Sequence, residues 1–237
     1  MNTFTCKPIG TVTSCYKEKF GIPRQPGLVH GDQSILQLDK QYGEETVRGL
    51  AGFSHIWVSF VFHATLKQGW KPMVRPPRLG GNTRVGVFAS RSPFRPNSLG
   101  LSVVRLLSIE TSKKGVLLHL DGCDLLDGTP VIDIKPYLPY VDAIPNADAG
   151  FAPQQPPQTN KVSFTPEALT QCQQTEVRLQ TPLQSLIENI LQLDPRPSYQ
   201  HANTGKRVYS MKLYDFDLHW QYCDNNRIQV LGLSRIG

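Results

Sequence analysis

Between Thr46 and Ile109 the 237-residue sequence contains no aspartate and no glutamate. The same stretch carries Arg48, Lys67, Lys71, Arg75, Arg78, Arg84, Arg91, Arg95 and Arg105, nine basic residues against a net charge of +6 for the whole chain. A face so one-sided attracts polyanions, because each phosphate it meets releases condensed counterions. The charge alone does not separate RNA from DNA or from a charged cofactor. Other absences narrow the class. There is no run of about 18 apolar residues, so no transmembrane helix is expected. Met1 to Gly10 lacks a basic region followed by an apolar one, so no signal peptide is expected. The five cysteines (Cys6, Cys15, Cys123, Cys172, Cys223) are odd in number, scattered, and nowhere spaced Cys-x-x-Cys. That predicts reduced thiols in a cytoplasmic protein, with neither a disulfide framework nor a metal site. No strand-like segment is followed by Gly-x-Gly-x-x-Gly, which argues against a doubly wound dinucleotide fold.

What is present is short and β-rich over the first 145 residues. Phe4 to Val12 is a plausible first strand. Ser54 to His63 is the clearest, with Ile56, Val58, Phe60 and Phe62 on one face and His55, Trp57, Ser59, Val61 and His63 on the other. Leu101 to Ile109, Val116 to Leu120 and Thr129 to Ile134 follow. Many short strands with few helical segments predict an antiparallel sheet or barrel. Residues 143–160 are rich in Pro, Ala, Gln and Asn and read as a linker. Beyond it, Thr165-Pro166-Glu167 and Thr181-Pro182 are helix starts, and Leu183, Leu186, Ile187, Ile190 and Leu191 recur at helical spacing. Asp194-Pro195-Arg196-Pro197 stops that helix. Strands over Arg207 to Tyr222 and Arg227 to Leu233 are predicted to close the chain as a hairpin through Asp224-Asn225-Asn226. The expected class is mainly β: an N-terminal antiparallel barrel domain over 1–145 and a small α+β domain over 146–237.

Four stretches concentrate special residues without a core-forming pattern. Gly21-Ile22-Pro23-Arg24-Gln25-Pro26-Gly27 is a stiffened loop presenting Arg24 and Gln25. His63-Ala64 ends the clearest strand. In Ser90 to Ser102, two prolines stiffen a loop, Arg91 and Arg95 flank Phe94, and Asn97, Ser98 and Gly100 offer a nest of backbone donors for a carboxylate, phosphate or ribose. Asp127-Gly128-Thr129-Pro130 is a turn at a strand mouth. The strand behind it puts Asp133 and Lys135 on the face of Val131, a placement that could bury a charge pair.

The loops Pro23-Arg24-Gln25, Ser92-Pro93-Phe94-Arg95-Pro96-Asn97 and Asp127-Gly128-Thr129-Pro130 through Lys135-Pro136-Tyr137 occur together and in this order. With Phe53-Ser54-His55-Ile56-Trp57, they closely resemble the TrmO/YaeB (TsaA-like) family. The tail, through Asp194-Pro195-Arg196-Pro197-Ser198-Tyr199 and the final hairpin, resembles the second domain of bacterial members. The resemblance implies a single antiparallel β-barrel, a homodimer, and S-adenosyl-L-methionine as methyl donor. It also implies tRNA bearing threonylcarbamoyladenosine, typically tRNA for threonine, as the acceptor, methylated on the exocyclic nitrogen. Carried onto this sequence, the cofactor positions are Pro23, Arg24, Gln25, His63, Ala64, Arg91, Leu101 and Asp127, Gly128, Thr129 and Pro130.

The chemistry suits these residue types. Methyl transfer from a sulfonium is an in-line displacement, so positioning does most of the work. Arg24 or Arg91 could meet the cofactor carboxylate, Asp127 its ammonium or a ribose hydroxyl. The acceptor nitrogen already carries a carbonyl group, so a general base would help, with Tyr137, Asp133, Asp194 and Tyr199 as candidates. For tRNA the candidates are Lys67, Lys71, Arg75, Arg78, Arg84 and Arg95, with Arg196 and Arg207 from the second domain. Trp70 and Phe94 could stack on an unpaired base. The competing reading is a barrel that holds an adenine-containing ligand as a sensor and transfers nothing.

Overall fold

Strict alternation builds the first half of the chain. In the computed structural model, which describes residues 3–113, 115–158, 160–196, 207–224 and 226–236, Ile56, Val58 and Phe60 point inward from one face of a strand and are buried. The strands of this half are β1 (Gly10–Thr13), β2 (Ser34–Leu38), β3 (His55–Val61), the two-residue β4 (Met73–Val74) and β5 (Val85–Gly86), β6 (Leu99–Ser112), β7 (Gly115–Asp121) and β8 (Thr129–Pro136). Six of them close an antiparallel barrel in the order β1-β2-β7-β6-β3-β8. Closure leaves no unpaired edge, and the interior is filled by side chains such as Leu36, Val104, Leu118, Leu120 and Val131. Gly100 has to be glycine. It faces the Phe60 ring across the β3–β6 ladder, and a Cβ there would sit 2.3 Å from that ring.

Several sequence expectations shift. The first strand begins at Gly10 rather than Phe4, and Phe4 is exposed. Pro8, which has no N–H to give a ladder, separates the two stretches. β2 was not anticipated, although Ser34, Leu36 and Leu38 alternate inward. In β8 a bulge pairs Phe60 with Val131 and Ser59 with Asp133, skipping Ile132. The extra residue reverses the alternation. Val131 therefore packs inside, whereas Asp133 and Lys135 form an ion pair at 3.2 Å with side chains 51% and 73% exposed. The charge pair that the sequence pattern could have buried is on the outside.

The long connection from Phe62 to Ser98 is an arm rather than a loop. Its ends are pinned by Phe62 N–H donating to the Ser98 carbonyl at 2.8 Å. Between them lie β4 and β5, a small antiparallel ribbon. Seven of the basic residues noted above (Lys67, Lys71, Arg75, Arg78, Arg84, Arg91, Arg95) ride on this arm. After β8 a single turn, α1 (Pro139–Asp142), is held to the barrel wall by Trp57 Nε1 donating to Asp142 Oδ2 at 3.0 Å.

The second half forms a four-stranded sheet ordered β10-β11-β12-β9, with two helices against it. Its elements are β9 (Lys161–Phe164), α2 (Pro166–Leu179), α3 (Leu183–Gln192), β10 (Val208–Leu213), β11 (Phe216–Asp224) and β12 (Arg227–Arg235). Thr165 caps α2 by accepting the Ala168 N–H at 3.1 Å, as the Thr-Pro start predicts. The five apolar residues of α3 are all buried, each contributing about 2 kcal/mol of burial before entropy is charged. The strand expected over Arg207 to Tyr222 is two strands, because Tyr214 at φ +53° turns the chain between Leu213 and Phe216. The second core also takes in the segment after β1: Cys15, Tyr16 and Val29 are buried in it, and Phe20 stacks on Trp220 with ring centroids 5.9 Å apart. That docking carries the loop at Gly21–Gly27 to the junction of the two halves. Among the described residues no helix is long and apolar enough to cross a membrane.

Candidate cofactor site and nucleic-acid face

β3 and β8 are antiparallel, so the end of one and the start of the other lie at the same mouth of the barrel. His63 and Ala64, just beyond β3, therefore meet Thr129, the first residue of β8. The Thr129 hydroxyl is 3.5 Å from His63 Nδ1 and donates to the Leu126 carbonyl at 2.6 Å. Lys19 reaches over from the segment after β1 and donates to the Ala64 carbonyl at 2.9 Å. On the same loop, Gln25 donates to the Arg24 carbonyl and accepts a hydrogen bond from Arg91 Nη1. Pro23–Gln25, His63-Ala64, Arg91 and the Asp127–Pro130 turn, scattered over more than a hundred positions, thus converge on one mouth. Leu101 lies on β6 opposite Ser59, exposed on the outer wall beside that mouth.

The turn is tied down on all sides. Gly128, at φ +75°, gives its N–H to the Val12 carbonyl. Asp127 accepts the Ser14 N–H at 2.9 Å and pairs with Lys17 at 2.8 Å. Both Asp127 oxygens are thus used within the protein. The carboxyl closest in character to a ligand group is one the sequence reading missed, Asp124. It accepts the Ser102 hydroxyl at 2.7 Å and feels the positive charge of Arg91. Burial outweighs both and pushes it up to about 6. Behind it Asp32, wholly buried and likewise raised chiefly by burial, accepts the N–H groups of Gly122 (2.7 Å) and Cys123 (3.3 Å) and so fixes the turn that carries Asp124. No local composition marks Asp124 or Ser102. They become visible only once the β6–β7 pairing is known.

The candidate bases do not gather at this mouth. Thr129 and Tyr137 are eight residues apart along β8 and its extension, roughly 25 Å of extended chain. Tyr137 packs at the other end of the barrel, on Trp57 and His55, with ring centroids 6.0 and 6.3 Å away. Asp133 lies between them on the outer wall. Asp194 does approach the candidate cofactor loops, but as an anchor. It pairs with Arg196 through Nε (2.9 Å) and Nη2 (2.7 Å) and accepts the Tyr222 hydroxyl at 2.8 Å. The Arg196 carbonyl in turn accepts a hydrogen bond from Arg24 Nη2 at 3.2 Å. Arg24 is pulled below the ordinary arginine range by desolvation, with Asp194 opposing that shift and Arg78 of the arm adding to it. Pro23, Arg24, Asp194 and Pro195 line a cavity of about 160 Å³ between the two halves. Tyr199 lies outside the described residues.

Of the basic candidates, Lys67, Lys71, Arg75, Arg78 and Arg84 are exposed along the arm, and Arg207 is exposed at the start of β10. Arg95 is half-buried and clamps the carbonyls of Val87 (3.3 Å) and Ser90 (2.8 Å). Arg196 departs from its expected role. Its side chain is only 6% exposed, paired with Asp194 and stacked 3.4 Å over the Tyr222 ring, so the guanidinium is directed into the protein. The aromatic candidates divide. Trp70 is 57% exposed, but Phe94 is half-buried under the Lys71 ammonium, 4.3 Å from the ring centre.

Comparison with known proteins identifies the family. Residues 11–143 match the family model of the tRNA-methyltransferase O N-terminal domain, and residues 157–236 match the TrmO C-terminal domain. The chain is 47% identical, over 94% of its length and 95% of the relative's, to a protein of Escherichia coli named tRNA (adenine(37)-N6)-methyltransferase. A protein of the same name from Eikenella corrodens is 53% identical over 70% of this chain and 89% of its own. A crystal structure of TrmO from Pseudomonas aeruginosa superposes with a TM-score of 0.83 at 39% identity, covering 98% of this chain and 99% of that one. The two family matches together span nearly all of both halves, and the chain belongs to the TrmO family.

Proposed function

We propose that this protein is an S-adenosylmethionine-dependent tRNA methyltransferase acting on the exocyclic N6 of adenosine 37, the barrel domain (1–145) holding the cofactor and the second domain (146–237) helping to hold the tRNA. The observation that carries the reading is the convergence of Pro23–Gln25, His63-Ala64, Arg91 and Asp127–Pro130 at one mouth, beside an arm without an acidic residue. The groups present there fit the cofactor. Arg91 and Lys19 suit a carboxylate, Asp124 an ammonium or ribose hydroxyl, and exposed Leu101 an apolar edge. The cofactor supplies a methyl group on a sulfonium. The chain's own contribution is to hold both partners in line and dry, which is where most of the rate of such a displacement comes from. We assign recognition of the carboxylate to Arg91, which donates a hydrogen bond to Gln25 and lies within electrostatic reach of Asp124.

The acceptor is threonylcarbamoyladenosine in this reading, and the bound tRNA follows the arm through Lys67, Lys71, Arg75, Arg78 and Arg84. The enzyme works in the cytoplasm as a homodimer. Leu99, Leu101 and Leu107 on the outer wall of β6, with Tyr140, Val141 and Ile144 after β8, are exposed and apolar, which suits a subunit contact. The deciding experiment supplies labelled S-adenosylmethionine and tRNA from cells with and without the threonylcarbamoyl modification. Label in modified tRNA alone is the expected result. Label in neither, with the cofactor bound, would leave the barrel a sensor.

A further inference from the structure

Phe88 is 76% exposed on a segment that is otherwise firmly anchored. Val87, beside it, is buried, and its N–H donates to the Pro72 carbonyl at 3.0 Å. Its carbonyl accepts hydrogen bonds from Ser90 Oγ at 2.8 Å and Arg95 Nη1 at 3.3 Å. The same Arg95 nitrogen bonds the Ser90 carbonyl, and the guanidinium lies over the Phe88 ring, 5.7 Å from its centre. The result is an aromatic ring on a fixed backbone, supported by a cation and open to solvent. A ring held in this way can meet a partner at little cost in conformational freedom. The surroundings specify that partner. Every ionisable side chain on the arm around it is basic, and Ser90-Arg91 leads directly from Phe88 into the cofactor mouth.

We propose that Phe88 is a stacking platform for an unpaired base of the nucleic-acid substrate, with Arg95 as its pedestal. A neutral π face amid cations is what an unstacked base and its phosphates require. Of the two rings suggested by sequence, Trp70 is 57% exposed elsewhere on the arm and Phe94 is half-buried under Lys71, which leaves Phe88 as the open ring of the Val87–Arg95 segment. The proposal rests on the tRNA reading above, and the test separates the two.

Full-length Phe88→Ala, Phe88→Leu and Phe88→Tyr variants are titrated with an anticodon stem-loop carrying 2-aminopurine in the loop, and with a duplex of the same length. Stacking predicts that Ala and Leu weaken stem-loop binding by about tenfold or more and abolish the fluorescence quench. Tyr retains both, and duplex binding and S-adenosylmethionine affinity stay unchanged in all three. Wild-type binding and quench in Phe88→Ala overturn the proposal. So does a change of oligomeric state in that variant with stem-loop binding intact, which would make Phe88 a subunit contact. Methylation by wild type and Phe88→Ala alike defeats the platform but not the enzyme. Phe88-dependent stem-loop binding without methyl transfer by wild type defeats the enzyme reading but not the platform.

Discussion

The binding role proposed for Asp124 would come at the expense of stability. Its carboxyl stands at about 6 in the folded protein, against about 3.9 in an unfolded chain. A raised carboxyl contributes most below the unfolded value, and that contribution is lost as pH climbs through the folded one. At pH 8 the folded protein therefore carries an ionised, desolvated Asp124 at a cost on the order of 3 kcal/mol. Asp124→Asn keeps an acceptor for Ser102 and removes the charge. Melting curves are expected to show the variant more stable than wild type at pH 8, with the gain gone at pH 4. Cofactor titrations are expected to show affinity falling about tenfold at pH 8, and the wild type's own affinity rising between pH 5 and 7. A variant that is no more stable at pH 8 than wild type would mean that Asp124 is better solvated than its surroundings imply.

At the scale of elements, the Asp194–Arg196 turn is the clearest case of a motif that the fold turns inward. Asp-Pro-Arg-Pro reads in sequence as a helix stop with two polar side chains to spare. In the structure Asp194 sits at φ +47° and accepts its own neighbour's Arg196 N–H at 3.2 Å, an Asx-type turn that throws Arg196 inward onto Tyr222. Breaking a buried pair by removing one partner strands the other, so Asp194→Ala should lose about 3 kcal/mol or more in denaturant unfolding. Tyr222→Phe, which removes only one hydrogen bond to a charged group, should lose about 2 kcal/mol. Because the Arg196 carbonyl also holds Arg24, both variants should weaken cofactor binding from a distance. Elements with local signals were legible in sequence: the Thr165-Pro166 cap, the α3 periodicity, the alternation of β3, and the three special loops. Those defined by partners were not. β2 and β9 are short and declare themselves only through pairing, the β8 bulge flips Asp133 outward, and Asp124 needs the β6–β7 register to be seen beside Ser102.

The whole molecule adds a consequence of charge distribution. Barrel closure sends the arm and the candidate cofactor loops to one end of β3 and the β6–β7 turn to the other, because β6 runs from Leu99 at the mouth to Ser112 at the far side. Net charge is thus split by position. Lys67 and Arg84 lie on the arm, while Lys40 and Lys113 are exposed beside the far turn. If tRNA affinity came only from the overall charge of +6, removing either pair would weaken it equally. If the arm is the track for phosphates, the pairs differ. Each lost phosphate contact lowers the slope of log affinity against log salt by roughly 0.7 to 1. The Lys67→Ala/Arg84→Ala double variant should therefore bind tRNA several-fold more weakly at physiological salt and with a slope shallower by between one and two. Lys40→Ala/Lys113→Ala should keep the wild-type slope, and both should bind S-adenosylmethionine normally. Filter binding across a salt series measures this directly. Equal slopes for the two double variants would place the tRNA elsewhere on the molecule and leave the acid-free stretch as a solvated face.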